Sequence, residues 1–562
     1  MKGNEVTLQT ISSKKILDIF YDYVRINSET GTHSENKASD FVSGYFSGLA
    51  YFQTHPDRFG RFALPEDPFG RSVVWAFVKG RGKKTVILMH HLDVVGIEDF
   101  LRFKGHAFEP DALMHELKGS LDVLSPEARE DLLSNEWIFG RGTADMKAGG
   151  AAQMAVIEAY SELENFEGNL ILLAVPDEEN LSAGMRGALP LLDLLCHRHD
   201  LDCVLMINSE PHQRKTRDIG LFSGGSIGKI MPFFYSRGIL AHAGKSAEGF
   251  NPIGLLSECI QRTEMNPALA DFCPDSGEMS PLPTWLMARD GKTNYDVSMP
   301  LSAFGCLSMQ PLNSHPSDIL LKLKHMAMEG AIEAVERVNY GSGRYNERTG
   351  RKSGSKKWQA RVYLFGEWLK MMIETCGQPF ETVYAGTLKD ICHRIGAGDI
   401  TYATGTRMLM DALFEYTGCG EPTLIIGIVP PFYPSVSYLG RPDFKKTLTD
   451  LHLLLDEASR HHQGPAYDLE AYFTGISDLS YTSIKPEDLP AFRMTISHEM
   501  PLYGGLYTIP FDLIAGHAMP CINIGPWGKD FHKLSERVLK KDLTIHTPHL
   551  IQCALEHMLK SI

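Results

Sequence analysis

The sequence predicts an α/β fold, a mostly parallel sheet flanked by helices, with a second, α+β domain inserted into the chain. Three observations carry that expectation. Short apolar strand-like runs alternate with helix-like stretches through the first half, three of those runs end in clusters of His, Asp or Glu, and the chain changes character near Gly224. In open α/β sheets ligands bind beyond the carboxyl ends of the strands, so three such clusters are expected to converge on one crevice.

Taken in order, an amphipathic helix is expected over 13–26, followed by a buried-type strand at 85–89 (TVILM). An Ala-rich helix over 146–163 leads to a strand at 170–175 (LILLAV) and another at 203–207 (CVLMI). From Gly224 the run SGGSIGKIMPFFYSRGILAHAG reads as a strand pair, and helices follow near 252–264 and 316–338. Residues 340–357 hold six Arg or Lys against one Glu, with four Gly, and read as an exposed, mobile loop. With only two Tyr interleaved, that loop lacks the aromatic platform of an RNA-binding or membrane-docking segment. Strand-loop-strand patterning returns around 468–481 and 509–527. The expected organisation is a discontinuous domain, 1–222 with 465–562, interrupted by an inserted domain over 223–464.

A length of 562 residues corresponds to three or four domains of roughly 150 residues, or to two with large insertions. The chain is 43% hydrophobic and 22% charged, which excludes wholesale disorder and fibrous architectures. Lys and Arg total 55 against 69 Asp and Glu, a net charge of −14 that repels phosphate backbones and excludes nucleic acid as the main partner. Residues 1–10 carry no apolar signal region, and the longest apolar runs fall far short of the roughly 20 residues that span a bilayer. A cytoplasmic protein without a membrane partner is expected. The ten cysteines contain no C-x-x-C pair and read as buried thiols of a reducing compartment.

The chemistry concentrates in five places. His91 and Asp93, two apart in an extended segment, point to one side, so the carboxylate can hold the imidazole; alone the pair reads equally as a satisfied structural histidine. His90 points to the other face and reads as packing. Asp145 follows the glycine-bearing GRGTA turn and precedes a helix, a position an N-cap aspartate would also take. Asp177, Glu178 and Glu179 crowd three acids at the end of a buried strand, a like-charge cluster that is costly without a cation. Glu210 ends another strand, and His532 follows the loop GPWGKDF. Together these residues supply two His, one Asp able to bridge, two Glu and a spare Glu, the donor inventory of a carboxylate-bridged di-zinc hydrolase.

The order of these motifs resembles the aminoacylase, carboxypeptidase G and succinyl-diaminopimelate desuccinylase family of di-zinc metallohydrolases. The family's H-x-D-V-V is similar to residues 91–95, its G-R-G-x-x-D-M-K-G-G to 140–150, its D-E-E to 177–179, its E-P to 210–211 and its G-T-S-D to 475–478. Its closing G-P-G and histidine resemble 525–528 and His532. The resemblance implies a zinc-exopeptidase-like fold in which Asp145 bridges two Zn2+ ions, with Co2+ or Mn2+ as alternatives. His91 and Glu210 would complete one site, Glu179 and His532 the other, Glu178 would be the general base, and Asp93, holding the His91 imidazole, counts with the catalytic residues. It further implies that the inserted domain is a lid that mediates a homodimer, and that His242, in an A-H-A context, donates to the tetrahedral oxyanion. Packing at a strand end is the other reading of His242. The implied substrate is a small peptide or an N-acylated amino acid, cleaved at a C–N amide bond.

The long inserted domain, the extended stretch 96–136 and residues 427–438 resemble the long bacterial arginine-utilisation subgroup, which points to arginine or amino-acid catabolism. A phosphate-loop reading of 224–229 fails, because Ser223 and Ile230 break the pattern. A non-catalytic amino-acid-binding or regulatory protein on the same fold is the alternative, and the retention of five ligands and a base argues against it.

Overall fold

The computed structural model describes residues 11–163, 165–350 and 356–560; residues 1–10, on which the expectation of no signal region rests, lie outside them. The chain divides into two compact units, Met1–Ser226 with Val436–Ile484 and Pro510–Ile562, and Ile227–Ser435 with Lys485–Ile509.

The first unit is built on eight strands: β1 Phe59–Ala63, β2 Ser72–Lys79, β3 Arg81–His91, β4 Glu167–Val175, β5 Asp202–Asn208, β6 Ile219–Ser223, β7 Ala466–Glu470 and β8 Cys521–Asn523. Their order across the sheet is β1-β2-β4-β3-β5-β8-β6-β7. The central strands β4, β3, β5 and β8 are parallel, β1 and β2 are antiparallel at one edge, and β6 pairs antiparallel with β8. Register sets the level at which the loops leave the sheet: His91 lies opposite Val175, and Met89 opposite Asn208. The loops that carry the acid clusters therefore start side by side.

The central strands are buried on both faces, which is why they read as unbroken apolar runs. Val86, Leu88, Leu170, Leu172 and Ala174 join one core with helices Ser13–Val24, Lys147–Ser161 and Thr547–Leu559. Helix Ala183–His199 packs on β2 and β4, with Phe77 against the His199 ring. Each fully buried Leu or Ile contributes roughly 1.5–3 kcal/mol to this arrangement. The extended stretch after β3 folds into short helices, Pro110–Lys118 and Pro126–Ser134 among them, around Phe100, Phe103, Leu113, Leu117, Trp137 and Phe139.

The second unit holds a five-stranded sheet in the order Thr284–Asp290, Ser302–Ser308, Lys229–Arg237, Thr423–Tyr433, Arg361–Leu364. Only the last pair is parallel. Phe233, Tyr235, Phe304 and Ile425 pack against helices Phe365–Cys376, Gln378–Gly396 and Tyr402–Thr417. Ser236, on the opposite face, donates to the Pro252 carbonyl at the start of helix Pro252–Thr263.

Four expectations are corrected. Residues 436–464 belong to the first unit, because helix Pro442–His461 packs Leu448, Leu451 and Leu455 into the sheet's core. Residues 485–509 belong to the second, where Leu502 joins its core and the Tyr507 hydroxyl accepts from the Phe432 amide at 2.8 Å. The run after Gly224 is no strand pair: Gly225–Ser226 pairs with Val436–Ser437, and Lys229–Arg237 is the middle strand of the second sheet. Residues 340–349 are helical rather than loop, the end of helix Pro316–Thr349, and 351–355 lie outside the described residues. Gly341 and Gly343 cost a helix about 1 kcal/mol each, but the upstream apolar face from Ile319 to Val335 anchors it. Of the ten free thiols only Cys259, Cys273, Cys306 and Cys521 are buried.

Among the described residues, no helix is long and apolar enough to cross a membrane.

Candidate active site

His91 is the last residue of β3, Glu178 and Glu179 follow β4, and Glu210 follows β5. Asp145 stands two residues before helix Lys147–Ser161, whose N-cap position is Met146, so Asp145 is not spent on capping. His532 sits at a φ of +62° in the loop between Gly528–Lys529 and Arg537–Leu539. Glycines let these segments touch. A Cβ at Gly149 would stand 2.0 Å from the Ser209 carbonyl oxygen, and one at Gly525 would stand 1.9 Å from that of Glu210.

The five expected ligands come together. His91 Nε2 lies 3.0 Å from Asp145 Oδ1 and 3.5 Å from Glu210 Oε1. His532 Nε2 lies 3.2 Å from the other Asp145 oxygen and 3.1 Å from Glu179 Oε1. Glu178 belongs to the same cluster: its carboxylate, His91 and Glu210 bring ligand atoms within 4.8 Å of one another, as do His91, Asp145 and Glu179.

The electrostatics test whether this donor set fits cations. His91 Nδ1–H donates to the Asp93 carbonyl at 2.9 Å, which leaves the Nε2 lone pair facing two carboxylates. A nitrogen aimed at anionic oxygens must carry either a proton or a cation between it and them. Burial, and then neighbouring carboxylates, push Glu178, Glu179 and Glu210 above the usual carboxylate range. Burial also opposes charge on Asp145, but hydrogen bonds from His532 and His91 override it and hold Asp145 well below that range. His91 is held well above the imidazole range despite its burial, and His532 is pushed up to about 11. Cations would occupy the places where these protons are held. The set of His nitrogens and carboxylate oxygens, with one carboxylate facing both histidines, fits a pair of divalent ions.

The surrounding contacts differ from expectation at Asp93. Its carboxylate does not grip the His91 ring, whose Nδ1 is 3.7 Å from Asp93 Oδ1; the backbone carbonyl does that. The carboxylate instead accepts the amides of Glu178 and Glu179, each at 3.1 Å, and so fixes the acid loop. His90 is a packing residue: buried, it donates from Nδ1 to Gln153 Oε1 at 3.1 Å, and burial lowers it to about 4. Asp177 stands apart from the ligand cluster. At a φ of +70° it pairs with Arg71 at 2.6 Å, and its amide donates to Glu35.

Sequence reading missed Glu35, Arg71, Arg141 and Glu536. Arg71 also pairs with Glu35 at 2.8 Å, all three groups being buried, and this cluster anchors the turn that carries Glu178 and Glu179. Glu536 accepts the amides of Ala144 and Asp145 and pairs with Arg141 at 2.6 Å, which fixes the Asp145 turn. The arginine of the GRG motif was the available signal; its partner, 395 residues away in the chain, was not. His242 lies in the second unit, exposed, its Nδ1 accepting from the Gly244 amide at 3.0 Å.

A profile of peptidase family M20/M25/M40 matches residues 117–549. The chain belongs to peptidase family M20/M25/M40. This M20 chain is 30% identical over 557 residues to the uncharacterized protein YqjN of Bacillus subtilis (strain 168), covering 97% of this chain and 96% of that one. It is 29% identical over 552 residues to protein RocB of the same strain, covering 96% and 94%. Its fold is similar to that of aminopeptidase PepT from Bacillus cereus ATCC 10987, with a TM-score of 0.53 at 14% identity, over 98% of this chain and all of the other. The M20 chain is a hydrolase of the metallopeptidase class, with the mixed α/β architecture that its sequence predicted.

Proposed function

We propose that this M20 chain is a di-zinc hydrolase that cleaves the C–N amide bond of a small peptide or an N-acylated amino acid. The observation that carries the reading is Asp145, whose two oxygens face His91 and His532 separately. In this reading His91, Asp145 and Glu210 hold one ion, and His532, Asp145 and Glu179 the other. When bound, Zn2+ supplies Lewis-acid polarisation of the scissile carbonyl and lowers the pKa of water at the centre. Co2+ or Mn2+ would serve the same donors.

Glu178 takes the proton of the attacking water and delivers it to the leaving nitrogen. Its carboxyl sits in the ligand cluster while its amide is pinned by Asp93, which supports a base held in one orientation. His242 donates to the developing oxyanion. With Nδ1 accepting from Gly244, the neutral ring carries its proton on Nε2, as a donor requires. The second unit serves as lid and homodimer contact; its edge strand Thr284–Asp290, with Leu286 exposed, supports an interface there. The resemblance read from the sequence points to a substrate from amino-acid catabolism, arginine's included.

The test is metal analysis of the purified protein alongside a hydrolysis screen of dipeptides and of N-acyl, N-succinyl and N-carbamoyl amino acids. Two ions per chain and turnover of one of these classes are expected. Metal-loaded protein inert to the whole panel would overturn the reading.

A further inference from the structure

The first unit carries a second cluster of reactive groups. Cys196, near the end of helix Ala183–His199, and Cys203, at the start of β5, bring their sulfurs within 3.4 Å. His517 donates from Nε2 to Asp193 Oδ1 at 2.8 Å and lines the same cavity as Cys196. Asp193 lies three residues before Cys196 on the same helix, so both project to one side. The two thiols are partly exposed and, with Leu201, His517 and Ala518, line an open cavity of about 420 Å3. Nothing in the proposed hydrolytic mechanism uses these residues.

The two sulfurs are not equivalent. The contact with Cys203, and then the imidazole, hold Cys196 below the ordinary thiol range against the effect of burial, while Cys203 is held above it. The neighbouring Cys196, and then Asp193, hold His517 above the ordinary imidazole range against the effect of burial. Cys259, Cys306 and Cys521 are buried and raised, the inert condition.

We propose that Cys196 and Cys203 form a redox-active dithiol that reduces a hydroperoxide and closes as an intramolecular disulfide, with His517 as its proton carrier. In the first step the Cys196 thiolate attacks the peroxide oxygen; an S–O bond forms, the O–O bond breaks, and the leaving alkoxide takes the imidazolium proton as an alcohol. Cys196 is then a sulfenic acid. In the second step His517 accepts the Cys203 proton, and the Cys203 sulfur attacks that of Cys196. The S–S bond forms, the S–O bond breaks, and hydroxide leaves with the proton as water. Two thiols lose two electrons and two protons, and the peroxide becomes one alcohol and one water.

The test treats the reduced full-length protein with hydrogen peroxide, quenches with an alkylating agent and maps the thiols by mass spectrometry. The wild type should form a Cys196–Cys203 cross-linked peptide, with Cys196 reacting roughly 10-fold or more faster than any other thiol. Cys203→Ser should accumulate a sulfenic acid at Cys196 that a dimedone probe captures, and Cys196→Ser should form no cross-link. His517→Asn should slow the first step by ~10²-fold, as loss of a proton carrier does. Oxidation of wild-type Cys196 no faster than that of buried Cys521, or a Cys196 sulfenic acid that persists with Cys203 intact, would overturn the proposal.

Discussion

Asp145 is placed so that one short side chain serves two histidines, and the proposed metal centre depends on that geometry more than on any other single residue. Asp145→Ala should therefore lose both ions together, read by metal analysis after gel filtration; two ions retained per chain would remove the bridging role. Glu178→Gln is nearly isosteric and leaves every proposed ligand in place. Metal content should persist while kcat falls by roughly 10²- to 10⁴-fold, the usual loss when a general base is removed. Unchanged turnover would exclude Glu178 from the chemistry.

Among the elements, the turn after β4 is the most heavily braced. Glu35, Asp67, Arg71 and Asp177 form a buried charge cluster in which one guanidinium serves three carboxylates. Arg71→Ala would strand all three acids, and breaking a buried pair costs about 3–5 kcal/mol, so the urea midpoint should fall accordingly. A midpoint unchanged from wild type would show that the cluster is replaceable. The C-terminal helix Thr547–Leu559 carries a different sensitivity. His549 lies against His462 with ring centroids 3.8 Å apart and planes tilted by 51°, and burial followed by the charges of His462 and His546 lowers it to about 4. Burial lowers His546 as well. Below the ordinary histidine value of about 6.5 the unfolded chain takes up protons that these folded rings refuse. Their contribution is thus present above pH 6.5 and is lost as pH falls towards 4. The thermal midpoint should drop across that window, and His549→Gln should flatten the drop; an identical profile in the variant would assign the acid sensitivity elsewhere.

At the scale of the whole molecule, the chain leaves the first unit at Ile227, returns at Val436, leaves again at Lys485 and returns at Pro510. His242 belongs to the second unit, so its proposed part in catalysis requires that unit, from the same chain or a partner, to reach the reacting carbonyl. His242→Ala should depress kcat by roughly 10²- to 10³-fold, as loss of an oxyanion donor does, with KM and metal content little changed. Full activity at saturating substrate would leave His242 with only its local bond to the Gly244 amide.

The sequence by itself determined the α/β class and the residues that meet at the strand ends. Apolar runs of strand length followed at once by His, Asp or Glu announce both the sheet and its ligand-bearing edge, and parallel register then brings His91, Glu178, Glu179 and Glu210 together. The tertiary structure alone decided what fixes those residues in place. Glu536 braces Asp145, Arg71 braces the Asp177 turn, and the Asp93 carboxylate serves backbone amides rather than the His91 ring. Such partners lie up to hundreds of residues apart and leave no local pattern. The same holds for helix Pro442–His461 and for residues 485–509: an amphipathic segment exposes the same apolar stripe in sequence whichever core it joins, and only packing assigned the first to the β-sheet unit and the second to the inserted one. The Cys196–Cys203 contact belongs here too, since two cysteines seven residues apart, near a helix end and at a strand start, meet only once the helix has docked on the sheet.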